Sequence, residues 1–88
     1  MIQIKCYGPL RETVSQISLE VQTPLSIRQL LLQLCQRYPA LQLFDASGKF
    51  APHIVVLVEG KNMWSQEGLE TKITQRTTVA LVHPIEGG

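Results

Sequence analysis

Residues 26–39 read SIRQLLLQLCQRYP and carry the clearest structural signals in the chain. Ser26, followed three residues later by Gln29, fits a capping box, which pairs the free amide groups at the start of a helix. Pro39 ends the segment, because proline disfavours helical backbone in the residue before it. Apolar residues recur between these two ends at the spacing of one helical face, and they are Ile27, Leu30, Leu31, Leu34 and Tyr38. The segment predicts one amphipathic helix that packs across a sheet.

Strand patterns lie on both sides of this helix. Every second residue is apolar in residues 2–7 and again in residues 17–22, which predicts an antiparallel hairpin of half-buried strands. The connection between them is predicted to be an exposed loop. Residues 54–58 form an unbroken apolar run and predict a strand covered on both faces, and residues 77–82 predict the last strand.

The segments between these strands give weaker signals. Residues 41–52 predict a loop whose Leu43, Phe44 and Phe50 lie at the edge of the core. Met63 and Trp64 are expected to begin a short irregular strand, with Trp64 at the core edge. The pattern as a whole predicts the α+β class.

Composition limits the possible functions. With 88 residues, 44% hydrophobic and 17% charged, the chain is expected to form one domain, residues 1–88. A formal net charge of +1 offers no basic surface, so no nucleic acid partner is expected. No stretch approaches the roughly 18 apolar residues of a membrane span. We therefore expect no membrane partner and a cytoplasmic protein.

The cysteines and histidines suggest neither a metal site nor a redox site. Cys6 and Cys35 are far apart in the sequence and are predicted to be reduced core residues. Together with His53 and His83 they match no spacing that is typical of metal ligands. No bound metal is expected.

The tail, residues 83–88, remains beyond the last predicted strand and reads His83, Pro84, Ile85, Glu86, Gly87, Gly88. Glycines bury no side chain, but without a Cβ they can enter a narrow channel of a partner protein. The terminal carboxylate of Gly88 would then be the reactive group. A carboxylate is inert toward substitution until it is activated, and the chain has no phosphate-binding glycine loop of its own. A partner that uses ATP would have to adenylylate it.

Several residues resemble the β-grasp sulfur carriers, the ubiquitin-like MoaD/ThiS superfamily. They are Tyr7 with Arg11 and Glu12 shortly after it, the stretch EGLET at 67–71, and the ending VHPIEGG at 82–88. The resemblance spans nearly the whole chain and is greatest to the small subunit of molybdopterin synthase (MoaD-like). It implies a β-grasp fold with one main helix packed across a mixed sheet of four or five strands.

The resemblance also implies a function and its partners. Gly88 would be adenylylated by an E1-like adenylyltransferase (MoeB-like), and a sulfurtransferase would supply the sulfur that converts it to a thiocarboxylate. That sulfur would be donated within the large subunit of molybdopterin synthase (MoaE-like), in a heterotetramer. Tyr7, Arg11, Val82 and His83 are expected to contact these partners. No cofactor is bound, ATP is used by the activating partner, and the protein alone is expected to have no activity.

Other interpretations remain open. The same carrier chemistry can serve thiamin thiazole or cysteine synthesis. A ubiquitin-like modifier would instead form isopeptide bonds with lysines, and a plain β-grasp interaction module would carry its Gly-Gly ending incidentally. Taken alone, Arg11 is a solvated loop residue and His83 a half-exposed structural residue. The sequence does not choose among the sulfur acceptors.

Overall fold

The computed structural model describes residues 1–83. Strand β1, Ile2–Tyr7, pairs antiparallel with β2, Gln16–Leu19, and Ile2 lies opposite Leu19. The predicted hairpin is therefore confirmed, but its second strand ends at Leu19, three residues before the predicted end. Its connection is not simply an exposed loop, because Gly8–Glu12 form a 3-10 turn that buries Leu10.

The predicted helix is also confirmed. Helix α1 spans Ile27–Arg37 and begins with both halves of the capping box. The Gln29 amide donates to Ser26 Oγ at 3.1 Å, and the Ser26 amide donates to Gln29 Oε1 at 2.9 Å. The fully buried residues of the helix are Ile27, Leu30, Leu31 and Leu34. The local signals thus set both the start of the helix and the face that it buries.

Five strands form one mixed sheet. It adds β4 (Val55–Val58), β5 (Lys61–Asn62) and β7 (Thr78–Val82) to the hairpin, in the order β2-β1-β7-β4-β5. The central strand β7 runs parallel to β1 and antiparallel to β4. In the described part of the chain one α-helix covers this sheet, which confirms the α+β, β-grasp prediction.

A second, smaller sheet was not predicted from the sequence. Strand β3, Leu25–Ser26, pairs antiparallel with β6, Lys72–Ile73, immediately before α1. The Ile27 amide then donates to the Thr71 carbonyl at 2.9 Å. This small ladder ties the start of the helix to the segment that precedes β7.

The two faces of the five-stranded sheet differ. The covered face packs with α1 into the core, and its residues on the three central strands are Ile2, Ile4, Cys6, Val56, Val58, Val79 and Leu81. The other face is called the open face below, and it consists of Gln3, Lys5, Tyr7, Val55, Leu57, Thr78, Ala80 and Val82, all exposed or half-buried. The prediction that residues 54–58 are covered on both faces is wrong, because α1 lies on one side only and leaves Val55 and Leu57 half-buried.

Three further predictions need correction. Leu43 is fully buried in the core rather than placed at its edge. Met63 begins the 3-10 turn Met63–Ser65 instead of a strand, and its side chain is fully buried. Trp64 is 60% exposed, so it is not a core-edge residue. Met63 points inward and Trp64 outward because the tight turn sends neighbouring side chains in different directions.

Candidate functional site

The predicted site residues fall into two groups. Residues 84–88, which include Gly87 and the predicted reactive Gly88, lie outside the described residues. Tyr7, Arg11, Val82 and His83 lie within them. The structure brings these four together at one end of the sheet, where β1 and β7 both end.

An apolar row crosses this end of the open face. Tyr7 lies next to Val82 in the parallel pair β1 and β7, and Val82 lies opposite Val55 in the antiparallel pair β7 and β4. Tyr7 is 45% exposed, and the two valines are half-buried. Tyrosine combines a large apolar surface with a hydroxyl that can hydrogen-bond, which is why it is enriched in protein interfaces. The row offers a partner a flat apolar contact beside the point where the tail begins.

Positive charge borders this row. Arg11 is exposed on the 3-10 turn after β1, and it lines one shallow depression together with Lys5 and Tyr7. Cys6, Ser15 and Gln16 also line that depression. Two cations beside an apolar row favour a partner surface that carries carboxylates, because complementary charge speeds the encounter of two proteins.

The root of the tail is His83, one residue beyond β7. Its amide donates to the carbonyl of Tyr7 at 3.4 Å, which ties His83 to the end of β1. Its ring packs edge-to-face against the ring of His53, with centroids 4.7 Å apart and planes at 70°. His53 lies shortly before β4. The tail therefore begins between the end of β1 and the start of β4, the two strands that flank β7.

The thiols are poorly placed for chemistry. Cys6 is buried, and burial raises the pKa of its thiol. Burial also raises the pKa of the half-buried Cys35, although a hydrogen bond with the backbone of Leu43 acts in the opposite direction. A raised pKa reduces the thiolate fraction that a nucleophile or persulfide relay needs. Within residues 1–83, no group of three or more potential ligands is arranged to hold a metal ion.

Sequence reasoning missed two features of this site. The open face gains Val55 and Leu57, which an unbroken apolar run had suggested were buried. His53 was given no role, yet it contacts His83 from thirty positions earlier in the chain. No local pattern reports either feature, since both depend on which strands become neighbours.

Comparison with known proteins identifies the family. The family model described as "ThiS family" matches residues 4–88. The chain belongs to the ThiS family. Its structural neighbours are ubiquitin-like β-grasp proteins of the MoaD/ThiS type, a group of sulfur carriers and ubiquitin-like modifiers. Among curated proteins, none with significant sequence similarity was found.

Solved structures similar to this ThiS-family chain include two small archaeal modifier proteins. The SAMP1 protein of Haloferax volcanii is 24% identical, with a TM-score of 0.86 over 99% of this chain and 98% of its own. The SAMP1 protein of Methanosarcina acetivorans is 26% identical, with a TM-score of 0.84 over 99% and 95%. A putative molybdopterin converting factor, subunit 1, from Pyrococcus furiosus is 13% identical, with a TM-score of 0.72 over 96% and 97%.

One structural finding concerns membranes. The helix of the described residues, 11 residues long, is too short and too polar to cross a lipid bilayer.

Proposed function

We propose that this protein is a sulfur carrier that works through the carboxylate of Gly88, once Gly88 is the terminal residue. The observation that carries the proposal is the position of β7. This strand lies in the centre of the sheet and ends beside the row formed by Tyr7, Val82 and Val55. A partner protein that binds this row would therefore lie next to His83, the root of the tail.

The chemistry that we propose takes place in the partner. A carboxylate oxygen of Gly88 attacks the α-phosphorus of ATP, pyrophosphate leaves, and an acyl-adenylate forms. The outer sulfur of a sulfurtransferase persulfide then attacks the acyl carbon, AMP leaves, and an acyl disulfide forms. A thiol attacks the sulfurtransferase sulfur of that disulfide, which releases the thiocarboxylate of Gly88 and leaves the sulfurtransferase cysteine in a disulfide with the thiol. The carrier's own residues bind and orient, since the sequence has no phosphate-binding glycine loop.

Intact mass measurement tests the carrier chemistry. The full chain is incubated with an E1-like adenylyltransferase, ATP and a sulfide source, and the mass at Gly88 is followed. We expect a fraction in which one oxygen is exchanged for sulfur, and this fraction should vanish without ATP. A variant with one alanine added after Gly88 is the matched control. An unchanged wild-type mass under all conditions would overturn the proposal.

We further propose that molybdopterin synthase receives the sulfur, with this chain as its small subunit. The supporting observation is that Tyr7, Arg11 and Val82, which the resemblance predicts as partner contacts, lie together at one end of the sheet, with Arg11 on the turn beside the open face. The loaded carrier is mixed with the large subunit and its pterin precursor. We expect molybdopterin to form while Gly88 returns to a plain carboxylate. A carrier that stays loaded would direct the search to thiamin thiazole or cysteine synthesis.

A protein modifier is the second candidate. It is favoured by the similarity to SAMP1, because the Methanosarcina acetivorans protein is more similar than the molybdopterin converting factor in identity and in TM-score. The same acyl-adenylate would then be attacked by a lysine amine. Mass spectrometry of proteins from the native cell decides between the two. Peptides in which Gly88 is joined to a lysine would identify a modifier, and their absence beside abundant thiocarboxylate would identify a carrier.

A further inference from the structure

Gly8 lies directly against the root of the tail. It follows the last residue of β1 and has a φ of +71°, a backbone conformation that residues with a Cβ rarely adopt. A Cβ at this position would overlap the carbonyl oxygen of His83 and would lie 3.4 Å from its carbonyl carbon. Gly8 is therefore needed for two reasons, its own conformation and the space that His83 occupies.

Two other glycines show the effect of backbone conformation without the effect of space. Gly48 and Gly60 also have positive φ values, +85° and +79°, but a Cβ on either would have no atom within 4 Å. Their conformation alone explains them. Only at Gly8, among these three, does the missing side chain make room for another part of the chain.

His83 is held from both sides of β7. On the β1 side it donates to the carbonyl of Tyr7 and packs its own carbonyl against Gly8. On the β4 side its ring contacts His53. His83 is thus held at its amide and at its ring, and the missing side chain of Gly8 leaves the space that its carbonyl occupies.

We propose that Gly8 and His53 are positioning residues that aim the tail into the active site of the activating enzyme. This inference rests on the proposed function. Five residues, 84–88, separate His83 from the reactive carboxylate, and a segment of that length reaches at most about 17 Å. A tilt of roughly 15° at the root displaces the far end by about 4 Å when the segment is extended. Misplacement of a reacting group by about 1 Å can cost on the order of a hundredfold in rate.

The open face and the root of the tail should therefore control different kinetic parameters. The row around Tyr7 binds the partner, so its loss raises KM. The contacts at the root orient the carboxylate of a chain that is already bound. Loss of these contacts should therefore lower kcat and leave KM unchanged. A residue that merely supported the fold would not produce this separation.

The test compares Gly8→Ala with Gly48→Ala. Both variants place a Cβ on a positive-φ residue, but Gly8→Ala should lower the melting temperature more, because its Cβ also overlaps the carbonyl oxygen of His83. Rates are therefore compared well below both melting temperatures. Adenylylation is followed as pyrophosphate release with the E1-like enzyme and ATP. We expect Gly8→Ala to lower kcat about tenfold at unchanged KM, and Gly48→Ala to match the wild type. Equal kcat values for the two variants would overturn the inference.

His53 supplies a second pair of variants that does not depend on glycine geometry. His53 is exposed, so its replacement should leave the fold intact. His53→Phe keeps a ring that can pack edge-to-face on His83, whereas His53→Ser removes it. We expect His53→Ser to lower kcat about threefold, within the range assigned to an aromatic pair, and His53→Phe to restore it. Equal kcat values for the serine and phenylalanine variants would remove His53 from the proposal.

A measurement without the enzyme separates this inference from the proposed function. NMR amide exchange at His83 and the chemical shifts of residues 84–88 are recorded for the wild type, Gly8→Ala and Gly48→Ala. We expect faster exchange at His83 and shifted tail resonances in Gly8→Ala alone. If these changes occur but no wild-type chain is adenylylated, the carrier function fails while the positioning stands. If the wild type is adenylylated and Gly8→Ala changes neither readout, the positioning fails.

Discussion

The covered face and the open face of the sheet are built from the same strands and differ in what lies over them. On β4, Val56 and Val58 are buried on the helix side, while Val55 and Leu57, which alternate with them, are only half-buried. The covered face is completed by the chain's own helix. The open face carries an apolar row, and no helix of residues 1–83 covers it. Stability should therefore depend on the first face and partner binding on the second.

The largest expected effect comes from breaking the covered face. Leu34→Ala removes a fully buried side chain of α1 and leaves a cavity, which should lower the free energy of unfolding by about 2–5 kcal/mol. Urea denaturation followed by circular dichroism measures it. Leu32→Ala is the matched control, because Leu32 lies on the same helix but is 44% exposed, and should cost far less. Equal losses would mean that the assignment of the covered face is wrong.

Breaking the open face should affect binding rather than folding. Tyr7→Ala removes the largest side chain of the apolar row, and we expect affinity for the activating enzyme to fall about tenfold, the effect of a moderate interface hot spot. The free energy of unfolding should change by less than about 1 kcal/mol. Calorimetric titration gives the affinity. Gln3→Ala changes the same strand and face at the other end, and a similar loss there would contradict a localised site.

The helix cap tests whether a change on the covered side affects stability without affecting partner binding. Ser26→Ala removes the oxygen that accepts from the Gln29 amide and should lower the free energy of unfolding by about 1 kcal/mol. Partner affinity should stay at the wild-type value, because the cap belongs to the covered side. Thermal unfolding of this variant is compared with Ser18→Ala, an exposed position on β2 that should be nearly neutral. A weaker partner affinity in Ser26→Ala would mean that the two faces are coupled.

The smallest effect concerns charge at the border of the open face. Arg11→Gln should slow association with the activating enzyme a few-fold at low salt, and the difference should fade as ionic strength rises. Stopped-flow measurements at two salt concentrations test this. Arg37→Gln makes the same change in net charge at the end of α1 and should slow association less. If the two variants behave alike, the effect is one of net charge and not of the depression beside Tyr7.

Much of the fold was predictable because its signals are local. The capping box of Ser26 and Gln29 and the helical spacing that follows define α1 correctly. The alternation in residues 2–7 and 17–22 defines the first hairpin. Strands β3 and β6 were missed because each has only two residues, and they exist through pairing with each other across most of the chain.

The candidate site was predictable only in part. Tyr7, Arg11 and Val82 came from the family resemblance, and the structure groups them with His83. The apolar run at 54–58 was misjudged, since burial by the chain's own helix and burial by a partner demand the same residue types. The contacts of Gly8 and His53 with His83 join distant parts of the sequence, so only the folded sheet reveals them.

The central position of β7 has a consequence for biosynthesis. The strand that joins β1 to β4 is the last of the described strands to be translated, and Gln3 must wait for Thr78 before the two can pair. A nascent chain without β7 lacks the strand that pairs with both β1 and β4, so its five-stranded sheet cannot close. A product that terminates before Thr78 lacks the central strand as well as the terminal glycines, so it presents neither a docking face nor a substrate to the activating enzyme.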